Sequence, residues 1–308
     1  MNFSSVVNKS KKKKFSWFLF RLLSLFSVVR GYNILVISLA QYLASIFILS
    51  TSSSKSTILD PKLFCLILAS AICIASGYII NNFYDSEKDL INRPKKSKLD
   101  RLVSQQKKLN IYFILNFTAV IIASYVSFKA VLFFSFYIFC IWLYSHKIKR
   151  LLIWGNITAT TLALLPFFAV FIYFKNFEAS IFSHAIFLAL IILIRELVKD
   201  LENLQGDFSL GYKTLPVVYG EKITKYCIFS IIILCLGAAY ILVSNFHLAK
   251  MDYYFGFCTI MLVTLCFLLG LAKTKKHYLQ LHFFLKLIIV TGVCCIPLIN
   301  SSILKNGF

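Results

Sequence analysis

Acidic residues are scarce in this sequence, and most of them sit in two short stretches. Of the 12 Asp and Glu, only Asp60, Glu178 and Asp252 lie elsewhere. The first stretch holds Asp85, Glu87, Asp89 and Asp100; the second holds Glu196, Asp200, Glu202, Asp207 and Glu221. Asn81, Asp85 and Asp89 follow one another at intervals of four, so a continuing helix stacks them on one face. Asp200, Asn203 and Asp207, at intervals of three and four, share a face in the same way. Oxygen-bearing side chains stacked like this repel unless a cation joins them. Carboxylates and amides without His or Cys suit a hard cation, Mg²⁺ before others. Mg²⁺ sites use few carboxylates and leave the other positions to water and phosphate. Two such clusters flanked by lysine and arginine describe a clamp for a diphosphate. The competing reading of each stretch is an ordinary solvated loop. Scarcity of acids and helical spacing repeated twice weigh against it.

Basic residues surround both stretches. Arg30 and Asn33 open the first apolar run; Arg93, Lys95, Lys96 and Arg101 follow the first acidic motif. Lys147, Lys149 and Arg150 fill a short loop, and Lys199 adjoins Asp200. Each serves membrane topology as readily as it serves phosphate contact, with Arg93 and Arg30 the most constrained in position.

The elements that must position these groups follow from composition. The chain has 308 residues, 59% hydrophobic and only 15% charged, with mean hydropathy +0.79. Soluble domains carry about 25% charged residues, so the natural solvent for this chain is a bilayer. A net charge of +21 does not make it a nucleic-acid binder, because so apolar a chain has no water-facing surface for a duplex. Nine apolar runs of spanning length are predicted, near 32–50, 63–82, 109–128, 130–144, 151–174, 179–196, 225–244, 253–272 and 279–299. Residues 15–29 read as an interfacial helix behind a basic tail, so 1–29 precede a single transmembrane domain at 30–308. With the N-terminus inside, only Lys55, Lys62, Lys129, Lys175, Lys250 and Lys305 of the 33 Lys and Arg fall outside, and Lys286 lies within the last span. That asymmetry puts both acidic stretches at one cytoplasmic mouth. The 9 cysteines sit in apolar runs without a Cys-x-x-Cys pair, which argues against a disulfide framework or a zinc site.

Asn81-Asn82-x-x-Asp85-x-x-x-Asp89, followed by Asn92-Arg93-Pro94, resembles the first aspartate motif of the UbiA superfamily of intramembrane prenyltransferases. Arg195 to Asn203, then Gly206-Asp207, Gly211, Thr214-Leu215-Pro216 and Gly220, is similar to the second. Arg30-x-x-Asn33 and Tyr144-Ser145-x-x-Ile148-Lys149-Arg150 agree as well. The resemblance implies an all-α polytopic membrane protein, about nine helices in one bundle, in a bacterial or archaeal cell membrane. It implies Mg²⁺ held by Asn81, Asp85, Asp89, Asn203 and Asp207, with Asp85, Asp89, Asp200 and Asp207 as the catalytic acids. Arg30, Asn33, Arg93, Tyr144, Lys149 and Lys199 are the implied substrate contacts. The implied partners are a prenyl diphosphate and a membrane-borne acceptor.

Two positions depart from the family pattern. Asn82 and Asn203 stand where Asp is usual; each keeps an oxygen donor and drops one charge, for which weaker Mg²⁺ binding is the expected cost. The run from Arg195 to Gly220 looks most like the branch that contains digeranylgeranylglyceryl phosphate synthase, where a prenylglyceryl phosphate hydroxyl is the acceptor. Prenylation of an aromatic acid such as dihydroxynaphthoate or 4-hydroxybenzoate is the alternative within the family. A non-catalytic prenyl-lipid binder or transporter is the alternative outside it.

Overall fold

A computed structural model describes residues 23–246 and 249–299. Among these residues nine helices are long and apolar enough to cross a bilayer. They are α1 (Gly31–Ala44, prolonged by a π-helical turn at Ser45–Leu49), α2 (Pro61–Tyr84), α3 (Gln105–Val126), α4 (Phe128–His146) and α5 (Trp154–Phe174). The others are α6 (Ala179–Glu202), α7 (Leu215–Phe246), α8 (Asp252–Leu271) and α9 (Lys275–Cys295). Count and order match the expectation, while two ends differ. Helix α6 runs on to Glu202, so Glu196, Asp200 and Glu202 ride on its last turns, in keeping with the helical spacing, while Asp207 sits on the short helix Leu204–Ser209 that follows. Helix α7 begins ten residues early and is broken by Gly220 (φ 81°, ψ 168°), a conformation only glycine adopts freely. The basic tail and residues 15–22 of the expected interfacial helix lie outside the described residues. Residues 23–29 are helical, and Ser24 Oγ donates to Leu99 O (2.8 Å) and Ser27 Oγ to Asp100 Oδ1 (3.1 Å).

Local chemistry sets the helix starts. Asp60 accepts from the Lys62 amide (2.9 Å) ahead of α2, and Pro61 takes the first position, where its missing N–H costs nothing. Ser104, Ser127 and Thr274 cap α3, α4 and α9 through the amide three residues on. Pro166 interrupts α5 from within and leaves the Leu162 carbonyl without its usual donor. In a bilayer that carbonyl needs a partner, and the Tyr137 hydroxyl supplies one (3.2 Å). The Pro166 carbonyl itself accepts from Gln41 Nε2 (2.7 Å), tying α5 to α1.

Packing divides the helices into two cores. One is built from α1 to α5 around Leu63, Ala69, Cys73, Ala119, Ala123 and Phe134. The other is built from α6 to α9 around Ile194, Ile228, Ile232, Leu262, Leu265 and Leu285. Large apolar side chains such as Phe117, Phe128, Ile233 and Phe267 point outward, as they do when lipid is the solvent. The two acidic motifs lie one on each core. Helices α2 and α6 each have 24 residues and end alike, at Asp85 (φ −90°, ψ 5°) and Asn203 (φ −99°, ψ 8°). Each is followed by a short helix, Ser86–Asn92 and Leu204–Ser209.

Candidate active site

The break at Asp85 does not cost the first motif its register. The Asp85 amide donates to Asn81 O (2.9 Å), Asp89 to Asp85 O (2.8 Å) and Arg93 to Asp89 O (2.8 Å). Four-residue spacing therefore survives the change of direction, and Asn81, Asp85 and Asp89 all line a cavity of about 330 Å³ between the two cores. The second motif is continued in the same way: Asn203 N donates to Lys199 O (3.0 Å) and Asp207 N to Asn203 O (3.1 Å). Lys199, Asp200 and Asn203 line the same cavity, as do Arg30, Asn33, Arg93, Tyr144 and Lys149. Asp207 alone of the expected residues stands behind the wall, reached through Lys88, which does line it.

Lysines hold the acids in place. Lys149 Nζ donates to Asp85 Oδ1 (2.7 Å) and to Asn81 Oδ1 (3.4 Å). Lys88 Nζ lies 2.9 Å from Asp207 Oδ1 and 4.6 Å from the Tyr212 ring centre. Burial pushes the Asp85 carboxyl up, but the ammonium groups of Lys149 and Lys88 outweigh it and hold the group below the usual carboxylate range. Burial lowers Lys88, yet Asp85 and Asp207 together hold its ammonium above the usual lysine range. Asp89 is pushed up, by burial and then by the Asp85 charge, and burial pushes Asp207 up against the pull of Lys88. Asp200 accepts from Asn156 Nδ2 (2.7 Å); Lys199 pairs with Glu196 (2.5 Å).

A second set of contacts joins the two motif loops. Arg93 Nη2 donates to Glu202 Oε1 (2.7 Å), and His282 Nδ1 lies 3.2 Å from Glu202 Oε2. The Gly206 amide donates to Asn92 Oδ1 (3.1 Å). A Cβ on Gly206 would collide with the Asn92 amide, so this close approach requires glycine.

The donor set fits a divalent cation. Among the described residues no three His, Cys, Asp or Glu side chains converge tightly enough to cage a metal by themselves, but Mg²⁺ needs no such cage where phosphate and water complete the shell. Asp207 Oδ1 pairs with Lys88 Nζ at 2.9 Å, while Oδ2 is buried with no partner, a costly state for a polar atom that a cation relieves. With Asn81, Asp85, Asp89 and Asn203 on the cavity wall, the ligands offered are all oxygen.

Asn82 has another role than the family comparison suggested. It is buried, does not line the cavity, and turns away from it, donating to Asp100 Oδ2 at the end of the short helix Pro94–Asp100 (3.0 Å) and accepting from Lys108 Nζ on α3 (2.8 Å). Its lack of charge leaves Lys108 and Asp100 as a neutral pair and removes nothing from the cation site. Asn203 does face the cavity, so its missing charge is a real change there.

Several site residues escaped the sequence reading. Lys88 sits seven residues after Asn81 and three after Asp85, a helical spacing that marks it once the face is drawn. Tyr212, whose hydroxyl donates to Asp85 Oδ1 (3.4 Å), and Asn156 carry no local signal. Beyond Val36, Ile37, Ala163, Ile192 and Ile289 the cavity adjoins an apolar chamber of about 260 Å³, walled by Phe167, Phe168, Phe171, Phe182 and Phe255. Tyr84 stays off the cavity, with Lys149 Nζ 5.9 Å from its ring centre. Arg30 stacks on Tyr78 at 5.1 Å, and Asn33 donates to the Tyr78 hydroxyl (3.2 Å).

The sequence profile of the UbiA prenyltransferase family matches residues 38–288. Digeranylgeranylglyceryl phosphate synthase of Methanobrevibacter smithii is 28% identical over 218 residues, 67% of this chain and 73% of that protein. The protein of the same name from Sulfurisphaera tokodaii is 26% identical over 245 residues, 79% of this chain and 83% of that protein. A solved structure of digeranylgeranylglyceryl phosphate synthase superposes with a TM-score of 0.66 at 21% identity, over 92% of this chain and 98% of that one. A UbiA homolog from Archaeoglobus fulgidus, bound to GPP and Mg²⁺, superposes with a TM-score of 0.63 at 14% identity, over 89% and 99%. At such identities the superpositions speak for the fold, while the profile speaks for the lineage. By that profile, which spans most of its length, this integral membrane protein belongs to the UbiA prenyltransferase family.

Proposed function

We propose that this prenyltransferase moves a prenyl group from a prenyl diphosphate to the hydroxyl of a prenylglyceryl phosphate, forming an ether lipid. The observation that carries the acceptor is the likeness, along two thirds or more of the chain, to proteins named digeranylgeranylglyceryl phosphate synthase. The geometry supports the donor. A polar mouth lined by Lys88, Lys149, Lys199 and Arg93 suits the diphosphate, and the adjoining Phe-walled chamber suits the hydrocarbon.

In the reaction the allylic C–O bond of the donor breaks and its electron pair leaves with the diphosphate. The acceptor oxygen then bonds to the allylic carbon and gives its proton to the released diphosphate. Asn81, Asp85, Asp89, Asn203 and Asp207 would hold Mg²⁺, which when bound neutralises charge on the leaving group. Lys149, Lys88 and Lys199 add fixed positive charge where the leaving group gains negative charge, the arrangement that lowers such barriers most. Asp200, held by Asn156, keeps the second motif aimed at the mouth. Apolar walls exclude water, which would otherwise take the allylic cation; the Tyr144 face adds stabilisation for that cation.

The distribution of Lys and Arg supports a cytoplasmic mouth, with 30–308 as one domain because the cavity needs both cores. Purified protein with geranylgeranyl diphosphate and Mg²⁺ tests the reading. Diphosphate release with ether product from geranylgeranylglyceryl phosphate is expected. Product only with dihydroxynaphthoate or 4-hydroxybenzoate would overturn the acceptor.

A further inference from the structure

Seven cationic side chains line the main cavity: Arg30, Lys88, Arg93, Lys149, Arg195, Lys199 and Lys286. Five of them have a carboxylate within 4.0 Å. Among the described residues Arg30 and Lys286 have none, and each instead covers a tyrosine, Tyr78 at 5.1 Å and Tyr32 at 4.7 Å. Lys286 lies on α9 one turn beyond His282, which meets Glu202 at the end of α6, and it faces the first turn of α1 at the mouth of the cavity. Arg30 immediately precedes α1 in a left-handed conformation (φ 51°, ψ 53°), and Tyr32 stands two residues on. The α1–α9 wall therefore carries two spare positive charges, while the motif loops carry charges already balanced.

The donors at that wall are partly used and aimed. Lys286 Nζ donates to the Tyr32 hydroxyl oxygen (2.9 Å), which leaves two ammonium hydrogens and the phenolic hydrogen to give. Arg30 adds a planar fork suited to phosphate oxygens. Two cations and a hydroxyl match a phosphomonoester dianion. We propose that Lys286, Tyr32 and Arg30 bind the phosphate of the acceptor lipid on the α1–α9 wall, apart from the clamp that holds the donor diphosphate. This assignment deepens the acceptor reading above and rests on it for the identity of the lipid. A glycerol backbone then spans from this phosphate to the hydroxyl that attacks the donor.

The test is direct binding to purified wild type, Lys286→Met, Lys286→Arg and Tyr32→Phe by titration calorimetry. The probes are geranylgeranylglyceryl phosphate, geranylgeranylglycerol, geranylgeranyl diphosphate and phosphatidic acid. Wild type should prefer the phosphorylated lipid to its alcohol by about tenfold or more, the weight of a charged hydrogen-bond set. Lys286→Met should erase that preference while leaving affinity for the diphosphate within about twofold; Lys286→Arg should retain it, and Tyr32→Phe should lose part of it. A preference that persists in Lys286→Met overturns the proposal. An equal loss of diphosphate affinity also overturns it, by assigning Lys286 to the donor. Phosphatidic acid binding as tightly as geranylgeranylglyceryl phosphate overturns it in favour of a bilayer headgroup. Wild type that binds the phosphorylated lipid but yields no ether from it would refute the acceptor reading alone.

Discussion

Asn82→Asp restores the residue usual in the family and separates two views of the first motif. If position 82 belonged to the cation site, the added carboxylate would tighten Mg²⁺ binding by an order of magnitude or more. The structure turns the side chain the other way. A carboxylate at 82 would stand about 3.0 Å from Asp100 Oδ2 and 2.8 Å from Lys108 Nζ. At an effective dielectric of about 20, the new repulsion is roughly 5–6 kcal/mol and the new attraction roughly 6 kcal/mol. They cancel to within about 1 kcal/mol, and what remains is the lost amide donor to Asp100, about 1–3 kcal/mol. The variant is therefore expected to unfold at a lower temperature in detergent while its Mg²⁺ half-saturation in diphosphate release stays within about twofold of wild type. A half-saturation at least tenfold lower would refute the placement of Asn82 on the α3 side.

Asn203→Asp is the counterpart, because Asn203 does line the cavity; a gain of about tenfold in Mg²⁺ affinity is expected there, read from the same titration. Asp89 and Asp207 are both pushed above the usual carboxylate pKa, whereas Asp85 is held below it. On acidification Asp89 and Asp207 take up protons first, so Mg²⁺ half-saturation should rise at a pH above the ordinary carboxylate value of about 4. A Mg²⁺ titration series across pH that stays flat down to that value would contradict the shifts. Gly206→Ala places a methyl against Asn92 and breaks the 3.1 Å contact between the two motif loops. Turnover should fall by about tenfold or more while circular dichroism keeps its helical signal; wild-type turnover would show that the loops need no such closeness.

The sequence by itself determined the solvent, the number of spans among the described residues and the oxygen-bearing face of each motif. Hydrophobic runs long enough to cross a bilayer cannot be satisfied otherwise, and residues four apart share a helical face whatever packs around them. That is why Asn81, Asp85 and Asp89 were legible, even though the helix bends at Asp85. Lys88 lay on the same face and was readable in principle. Asn82 was not: whether a neighbouring residue turns toward the cavity or toward α3 depends on which side the partner helix takes. Nothing local tells that Arg93 meets Glu202, or that Lys286 meets Tyr32, because these pairs are 109 and 254 residues apart. The same holds for the division into two cores, since apolar helices in lipid carry no amphipathic stripe to announce their neighbours. Tertiary packing alone decided which charges are balanced and which are left facing the cavity, because neutralisation acts over a few ångströms in space rather than along the chain.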